Sequence, residues 1–321
     1  MSVTVGVDIG GTKIAAGLVD EQGHVLAHVR AVSPATQPAE IVRTIGELVR
    51  RLTDPHADHL SAGQVVEAVG ASAAGFVDKQ RATLVFAPNL AWRDEPLKSH
   101  LEKELGLPVV VENDANAAAW GEFTFGAGED VDNLLLLTLG TGVGGGIVLD
   151  GELVRGGFGM AAEVGHITVV PDGVLCGCGN LGCLESYASG SALVRMTREA
   201  AAASPGPAAG LVERAGGDPH EIDGPMVTEA AQAGDPFAVE RLEELGEWVG
   251  RGIATLTAVL DPNVVVIGGG VAEAGDLLLD PIRDSFARHV TARGHRPMLE
   301  VRRAQLSNAG MVGVADLARR R

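Results

Sequence analysis

Two spacings of apolar residues alternate along the 321-residue chain. Glycine-bounded apolar runs mark strands, and apolar positions three and four apart mark helices. "VTVGVDIGGTKIAAGLVDEQGHVLAHVRAV" reads as three strands joined by glycine turns. Ile41, Ile45, Leu48, Val49 and Leu52 recur at helical spacing and predict a helix over 38–52. "TDPHADHLSAG" reads as a loop, "VEAVGASAAGFVD" as a strand running into a glycine turn, and 94–105 as a short helix. "PVVVE" is a buried strand, after which a helix starts near "ANAAAWGEF". The Ala/Gly/Pro-rich stretch 200–225 reads as a mobile excursion. Residues 226–260 are helical, "PNVVVIGGGV" is a buried strand, and "AGMVGVADLARR" is a closing helix.

The opening pattern occurs twice. "NLLLLTLGTGVGGGIVLDGELVRG" lies over the first strand triplet without a gap, placing Thr138 on Asp8, Gly140 on Gly10, Gly142 on Thr12 and Asp150 on Asp20. Two unrelated glycine-rich hairpins are the alternative, but a duplicated half fits the chain length better.

Three glycine clusters, "DIGGTK", "LGTGVGGG" and "VIGGGV", each follow an apolar strand. Glycine lets backbone N–H groups approach phosphate oxygens closely, and Thr12 and Thr141 add hydroxyl donors. No GxxxxGK[ST] occurs, which excludes a P-loop. "GTGVGG" formally matches the dinucleotide fingerprint, but a strand pattern follows it where a helix is required. Two facing Gly/Thr hairpins would instead clamp a polyphosphate, although each alone also serves as a tight hairpin. Asp8, at a strand end, would hold Mg²⁺ directly or through water, or simply form the turn. Lys13 either neutralises phosphate charge or is a solvated side chain.

Asn113 and Asp114 stand where a buried strand meets a helix. Both residue types are favoured helix N-caps. Two consecutive polar residues exceed what a cap needs, however, and a carboxylate there can accept a hydroxyl proton during attack on a γ-phosphate.

All three cysteines, Cys176, Cys178 and Cys183, fall in "CGCGNLGC", ten residues beyond His166. Their odd number and a reducing compartment argue against a disulfide. Metal ligation, a redox pair or inert packing remain. His166 would complete a Cys3His zinc set, although one residue between Cys176 and Cys178 is tighter than the usual two to four.

Charge and composition narrow the partners. Hydrophobic residues make up 46% of the chain, as in a packed globular protein, and the net charge is −17. Such an acidic chain does not suit nucleic acid or an anionic membrane. Neither a secretory n-region nor an apolar run of ~18 residues is visible, so a soluble cytoplasmic protein is expected.

Together these motifs resemble the ROK family of sugar kinases and regulators, within the actin-like ATPase superfamily. "VGVDIGGTKIAAGLVD" is similar to its first phosphate loop, "ENDANAAAWGE" to its catalytic segment, "LGTGVGGG" to its second phosphate loop and "VIGGGV" to its adenosine loop. "AAEVGH" followed by "CGCGNLGCLE" meets the family's E-x-G-H and C-x-C-G-x-x-G-C-x-E pattern at every fixed position. Ala74 departs from the Pro found in many relatives.

The resemblance implies an α/β actin-like ATPase (ribonuclease H-like) fold, duplicated into two domains with an interdomain cleft and a structural zinc site. Residues 1–112 with a C-terminal helix over 309–321 would form the small domain, and 113–308 the large one. It implies Asp114 as general base toward the sugar 6-hydroxyl, with Gly75, Asn89, Asn113, Glu163, His166 and Glu185 around the sugar. Asp8, Gly10, Gly11, Thr12, Lys13, Gly140, Thr141 and Gly142 would meet the phosphates, Gly269 and Gly270 the adenosine side. His166, Cys176, Cys178 and Cys183 would hold zinc. The expected activity is ATP- and Mg²⁺-dependent phosphorylation of glucose at O6 by a homodimer or homotetramer. Another hexose or amino sugar, such as N-acetylmannosamine, mannose or fructose, is the rival substrate. A sugar-sensing repressor of the same family would carry a helix-turn-helix domain ahead of Asp8, and none is expected here.

Overall fold

Each strand triplet grows into a five-stranded sheet. The computed structural model describes residues 2–54, 60, 64–88 and 90–321; Asn89 and most of the loop expected over 53–63 lie outside them. In the first sheet, β1 (Ser2–Ile9), β2 (Lys13–Val19) and β3 (Val25–Val32) pair antiparallel. After helix α1 (Pro38–Thr53), strand β4 (Val65–Ala73) runs parallel to β1. Strands β5 (Phe76–Val77), β6 (Leu84–Phe86) and β7 (Arg93–Glu95) make a small antiparallel sheet. Helix α2 (Leu97–Leu105) leads to β8 (Val109–Asn113), parallel to β4, giving the order β3-β2-β1-β4-β8.

Helix α3 (Asp114–Phe125) precedes the second set, β9 (Leu134–Leu139), β10 (Val143–Leu149) and β11 (Glu152–Leu153). A run of helices follows: α4 (Glu185–Ala188), α5 (Gly190–Ala203), α6 (Pro205–Arg214), α7 (Gly224–Gln232) and α8 (Pro236–Leu260). Strand β12 (Val264–Gly268), helix α9 (Asp276–His289), strand β13 (Glu300–Arg303) and helix α10 (Ala309–Arg319) complete the chain. The second sheet has the order β11-β10-β9-β12-β13. Both sheets therefore place a hairpin triplet beside a parallel strand reached by crossover. The duplication extends to register: Asp8 pairs with Ser72, and its sequence counterpart Thr138 pairs with Gly268.

Helix α1 shows why the pattern was readable. Ile41, Ile45, Leu48, Val49 and Leu52 are all buried, in the same core as Val3, Val5 and Val7 of β1. Each such side chain contributes about 1.5–3 kcal/mol on burial, so a stripe at helical spacing has one stable orientation.

Two expectations are corrected. Residues 94 and 95 belong to β7, because Pro96 disfavours helical geometry in the residue before it and α2 starts only at Leu97. The 200–225 stretch is ordered: α5 ends at Ala203, α6 follows, and a 3₁₀ turn spans Pro219–Glu221. Pro205, Pro219 and Pro225 sit at the first or second helical positions, where the missing N–H costs nothing, and Ala208, Leu211 and Ile222 are fully buried.

The chain divides into two compact units. One comprises Met1–Asp132, Gly146–Ala162 and Gln305–Arg321, the other Asn133–Gly145 and Glu163–Ala304. The sequence division at 112/113 differs from this, since α3 and 146–162 fall in the first unit. Helix α3 packs on α10, which also lies on β1 and β4. A Cβ on Gly313 of α10 would strike the Ala117 carbonyl of α3, so glycine sets that close approach. Among the described residues no helix is long and apolar enough to cross a membrane.

Candidate active site

Strand β8 delivers Asn113 and Asp114 to the start of α3. Asn113 is the N-cap, its Oδ1 accepting the Asn116 N–H at 2.9 Å. Its Nδ2 donates to the Gly75 carbonyl at 3.1 Å, tying the helix start to the turn after β4. The cap reading thus holds for Asn113, and the same side chain also tethers the Gly75 turn. Asp114 occupies the first helical position and is not consumed by capping. Burial, and next the charge of Asp8, push its carboxyl above the ordinary aspartate value of 3.8. Asp8, at the C-terminal end of β1, accepts from Ser72 Oγ at 3.4 Å. Burial raises its carboxyl as well, against the pull of Ser72 and Lys13. Gly10 N–H closes the first loop on the Lys13 carbonyl at 2.9 Å, leaving Thr12 and Lys13 exposed and Gly11 half-buried.

The second unit holds the other predicted residues. Gly140 N–H donates to the Gly142 carbonyl at 3.0 Å, and the Gly140 carbonyl accepts from Gly190 N–H at 2.7 Å. Thr141 at this turn is exposed. A cavity of about 1120 Å³ is lined by Gly140, Thr141, Ser191, Arg195, Gly270 and Val271, among others. It therefore joins the second and third glycine clusters, and Gly269 follows the strand leading into it.

Glu163 precedes a 3₁₀ turn, Val164–His166, and its Oε2 lies 3.9 Å from His166 Nε2. His166 Nδ1 faces Cys176 Sγ at 3.7 Å, and Cys178 Sγ lies 3.7 Å from Cys183 Sγ. All four ligand atoms fall within 4.8 Å of one another. The chain reaches this geometry through short bridges, Thr168 with Cys183 and Leu175 with Leu181. Gly182 has φ +75°, and a Cβ there would strike the Val170 carbonyl, so only glycine permits the fold-back. Glu185, two residues past Cys183, accepts from Val143 N–H at 3.0 Å.

Residues 4–321 match the ROK family. The chain belongs to the ROK family. It is 51% identical to a glucokinase of Streptomyces coelicolor over 320 residues, 99% of this chain and 98% of that one. Among solved structures it is similar to a ROK family glucokinase from Streptomyces griseus in complex with glucose and AMPPNP: 52% identity, TM-score 0.87, 99% of this chain and 100% of that one. A ROK hexokinase from Thermus thermophilus follows at 36% identity and TM-score 0.77, covering 99% and 98%. The fold of this ROK chain is accordingly that of the actin-like ATPase class.

The cluster fits zinc. Tetrahedral Zn–S bonds of about 2.3 Å put ligand atoms about 3.8 Å apart, close to the two 3.7 Å separations observed. Without a cation, Cys176 and Cys183 favour their neutral thiols. Burial, then the neighbouring thiols, push Cys183 up to about 12, and burial raises Cys176. A dication reverses that balance by binding thiolates. His166 offers Nδ1 to this set and keeps Nε2 on the Glu163 side.

Sequence reasoning passed over Ser191, Arg195 and Arg198, which line the cavity from α5. Their signal was present: Ser189 caps α5, and both arginines follow at helical spacing in "SGSALVRMTR". It also missed Arg81 and Arg155, which meet Glu112 and carry no motif.

Proposed function

We propose that this ROK protein is a glucokinase, transferring the γ-phosphoryl group of ATP to O6 of D-glucose to give glucose 6-phosphate and ADP. The observation that carries the reading is Asp114, a carboxylate held at a strand–helix junction with its proton affinity raised by burial and by Asp8. Raised proton affinity lets the ionised carboxylate take a proton more readily from a hydroxyl that is forming a bond to phosphorus. The glucose-bound S. griseus enzyme, 52% identical, supports the choice of sugar.

The O6–H proton passes to Asp114 as O6 attacks the γ-phosphorus, the bond to the β,γ-bridging oxygen breaks, and Asp114 then releases the proton to solvent. Asn113, Gly75, Asn89, Glu163, His166 and Glu185 orient the sugar, so that O6 is presented rather than water. Gly10, Gly11, Thr12 and Lys13, with Gly140, Thr141 and Gly142, hold the phosphates through N–H, hydroxyl and ammonium donors. Gly269 and Gly270 flank the adenosine, which fits the cavity beside Thr141. Mg²⁺ would supply charge neutralisation on the phosphates, and Asp8 would hold it. His166, Cys176, Cys178 and Cys183 would hold zinc, which would fix the segments bearing Glu163 and Glu185 without taking part in transfer. The proposed location is the cytoplasm, where thiols stay reduced.

The test is ADP release by the purified chain over a panel of glucose, mannose, fructose, N-acetylglucosamine and N-acetylmannosamine. The highest kcat/KM is expected for glucose. A higher value for an amino sugar would move the substrate, and no sugar-dependent turnover would refute the kinase.

A further inference from the structure

Glu112, the last residue before the Asn113–Asp114 pair, is completely buried. A buried carboxylate persists only with strong partners. One of its oxygens meets two guanidinium groups, Arg81 Nε at 3.0 Å and Arg155 Nε at 2.8 Å. The other accepts the Asn113 N–H at 2.9 Å and Asn116 Nδ2 at 3.3 Å.

These partners come from three stretches of chain within one compact unit. Arg155 donates onward to the carbonyls of Lys79 and Asp78, both at 2.9 Å. Arg81, at φ 56°, accepts the Val111 N–H of β8 through its own carbonyl at 3.1 Å. The 78–81 turn follows β5, which begins next to Gly75, and the Gly75 carbonyl holds Asn113 Nδ2. Glu112 thus closes a ring of contacts around the cap of α3. Apolar residues in place of all three side chains could fill the same volume at no loss of stability, because buried ion pairs rarely out-stabilise packed hydrocarbon. What an apolar residue cannot do is grip the Asn113 N–H and the Asn116 amide. Those two groups set where α3 begins, and therefore the direction of the Asp114 carboxylate.

We propose that Glu112, clamped between Arg81 and Arg155, is the positioning residue that orients Asn113 and Asp114 for proton transfer. The inference rests on Asp114 being the general base. Glucose-dependent ADP release by the unaltered chain tests that function by itself, and the variants are read relative to it. Glu112→Gln keeps the shape but faces two cations with an amide. A misplacement of the base by a fraction of an ångström predicts kcat lower by about 10-fold or more, with the KM for ATP unchanged. A merely structural role would lower melting temperature and folded fraction but leave kcat per folded chain intact. In an Asp114→Asn background, Glu112→Gln should have no further effect on the residual rate, since the base it orients is already lost. Unchanged kcat in folded Glu112→Gln, or an equal loss in the Asp114→Asn background, overturns the inference. If Glu112→Gln does not fold, Arg155→Lys decides. It keeps the cation but loses the reach to the Asp78 and Lys79 carbonyls. A lower kcat at constant KM for ATP supports the positioning role, and an unchanged kcat refutes it.

Discussion

Glu185 accepts the Val143 N–H at 3.0 Å through one carboxylate oxygen, while the other lies 3.5 Å from Cys176 Sγ. One side chain therefore spans the cysteine cluster and the second glycine loop. A residue expected only to touch sugar also holds the turn proposed to bind phosphate. Glu185→Ala should raise the KM for ATP several-fold in addition to weakening glucose, since the Val143 N–H loses its partner. Calorimetry with glucose and with AMPPNP separately measures both. Nucleotide affinity unchanged by the substitution would confine Glu185 to the sugar.

Asp114→Asn keeps the shape of the side chain but cannot accept a proton. Its kcat should fall by at least ~10²-fold, with glucose affinity largely retained. Steady-state kinetics beside calorimetry checks the split, and near-normal kcat would remove Asp114 from the role of base.

The raised proton affinity of Asp114 makes two pH predictions. The base works only when ionised, so kcat/KM should fall as pH drops through a value above the ordinary 3.8 of aspartate. Part of that rise comes from the neighbouring charge of Asp8. Asp8→Asn should therefore shift the acid limb of the residual activity to lower pH. The sign for stability is the reverse of that for a salt-bridged acid. A folded pKa above the unfolded one means that ionised Asp114 opposes folding above its folded pKa, and that the penalty is absent below the unfolded value. Asp114→Asn should then melt higher than the unaltered chain at pH 8, with the gap closing as pH falls toward 4. Melting curves across pH decide this, and an equal or lower melting temperature at pH 8 would contradict the buried-charge account.

Cys178 is exposed, whereas Cys176 and Cys183 are buried. An exposed thiol contributes little by packing, so Cys178→Ala is a clean probe of ligation. About one zinc per chain is expected in the unaltered protein and a large loss in the variant, by metal analysis after gel filtration. The melting temperature should drop with the metal. A stable, zinc-free unaltered chain would reduce the cluster to a local staple.

Gly313→Ala probes the packing of α10. The added methyl would strike the Ala117 carbonyl. Backbone cannot move aside cheaply, so a loss of about 1–3 kcal/mol is expected in urea unfolding.

Local pattern by itself determined much of this protein. The glycine loops, the Asn113–Asp114 junction and the His166/Cys176/Cys178/Cys183 set are short and nearly contiguous, so their chemistry survives without knowledge of distant contacts. The duplication was legible for the same reason, as two triplets of strands with the same turns, and the paired registers of Asp8 and Thr138 follow it. Tertiary structure decided what depends on distant partners. Nothing in the neighbourhood of Glu112 announces Arg81 or Arg155, because ion pairing across the chain leaves no periodicity. The proline-rich 200–225 stretch looked like loop from composition, yet burial of Leu211 and Ile222 makes it helix and ordered turn. The family motif marks Glu185 only as a sugar contact, and only the fold brings the Val143 N–H to it. Backbone conformation and short ligand loops are governed by adjacent residues, whereas the partners of a buried charge are set by which segments the core brings together.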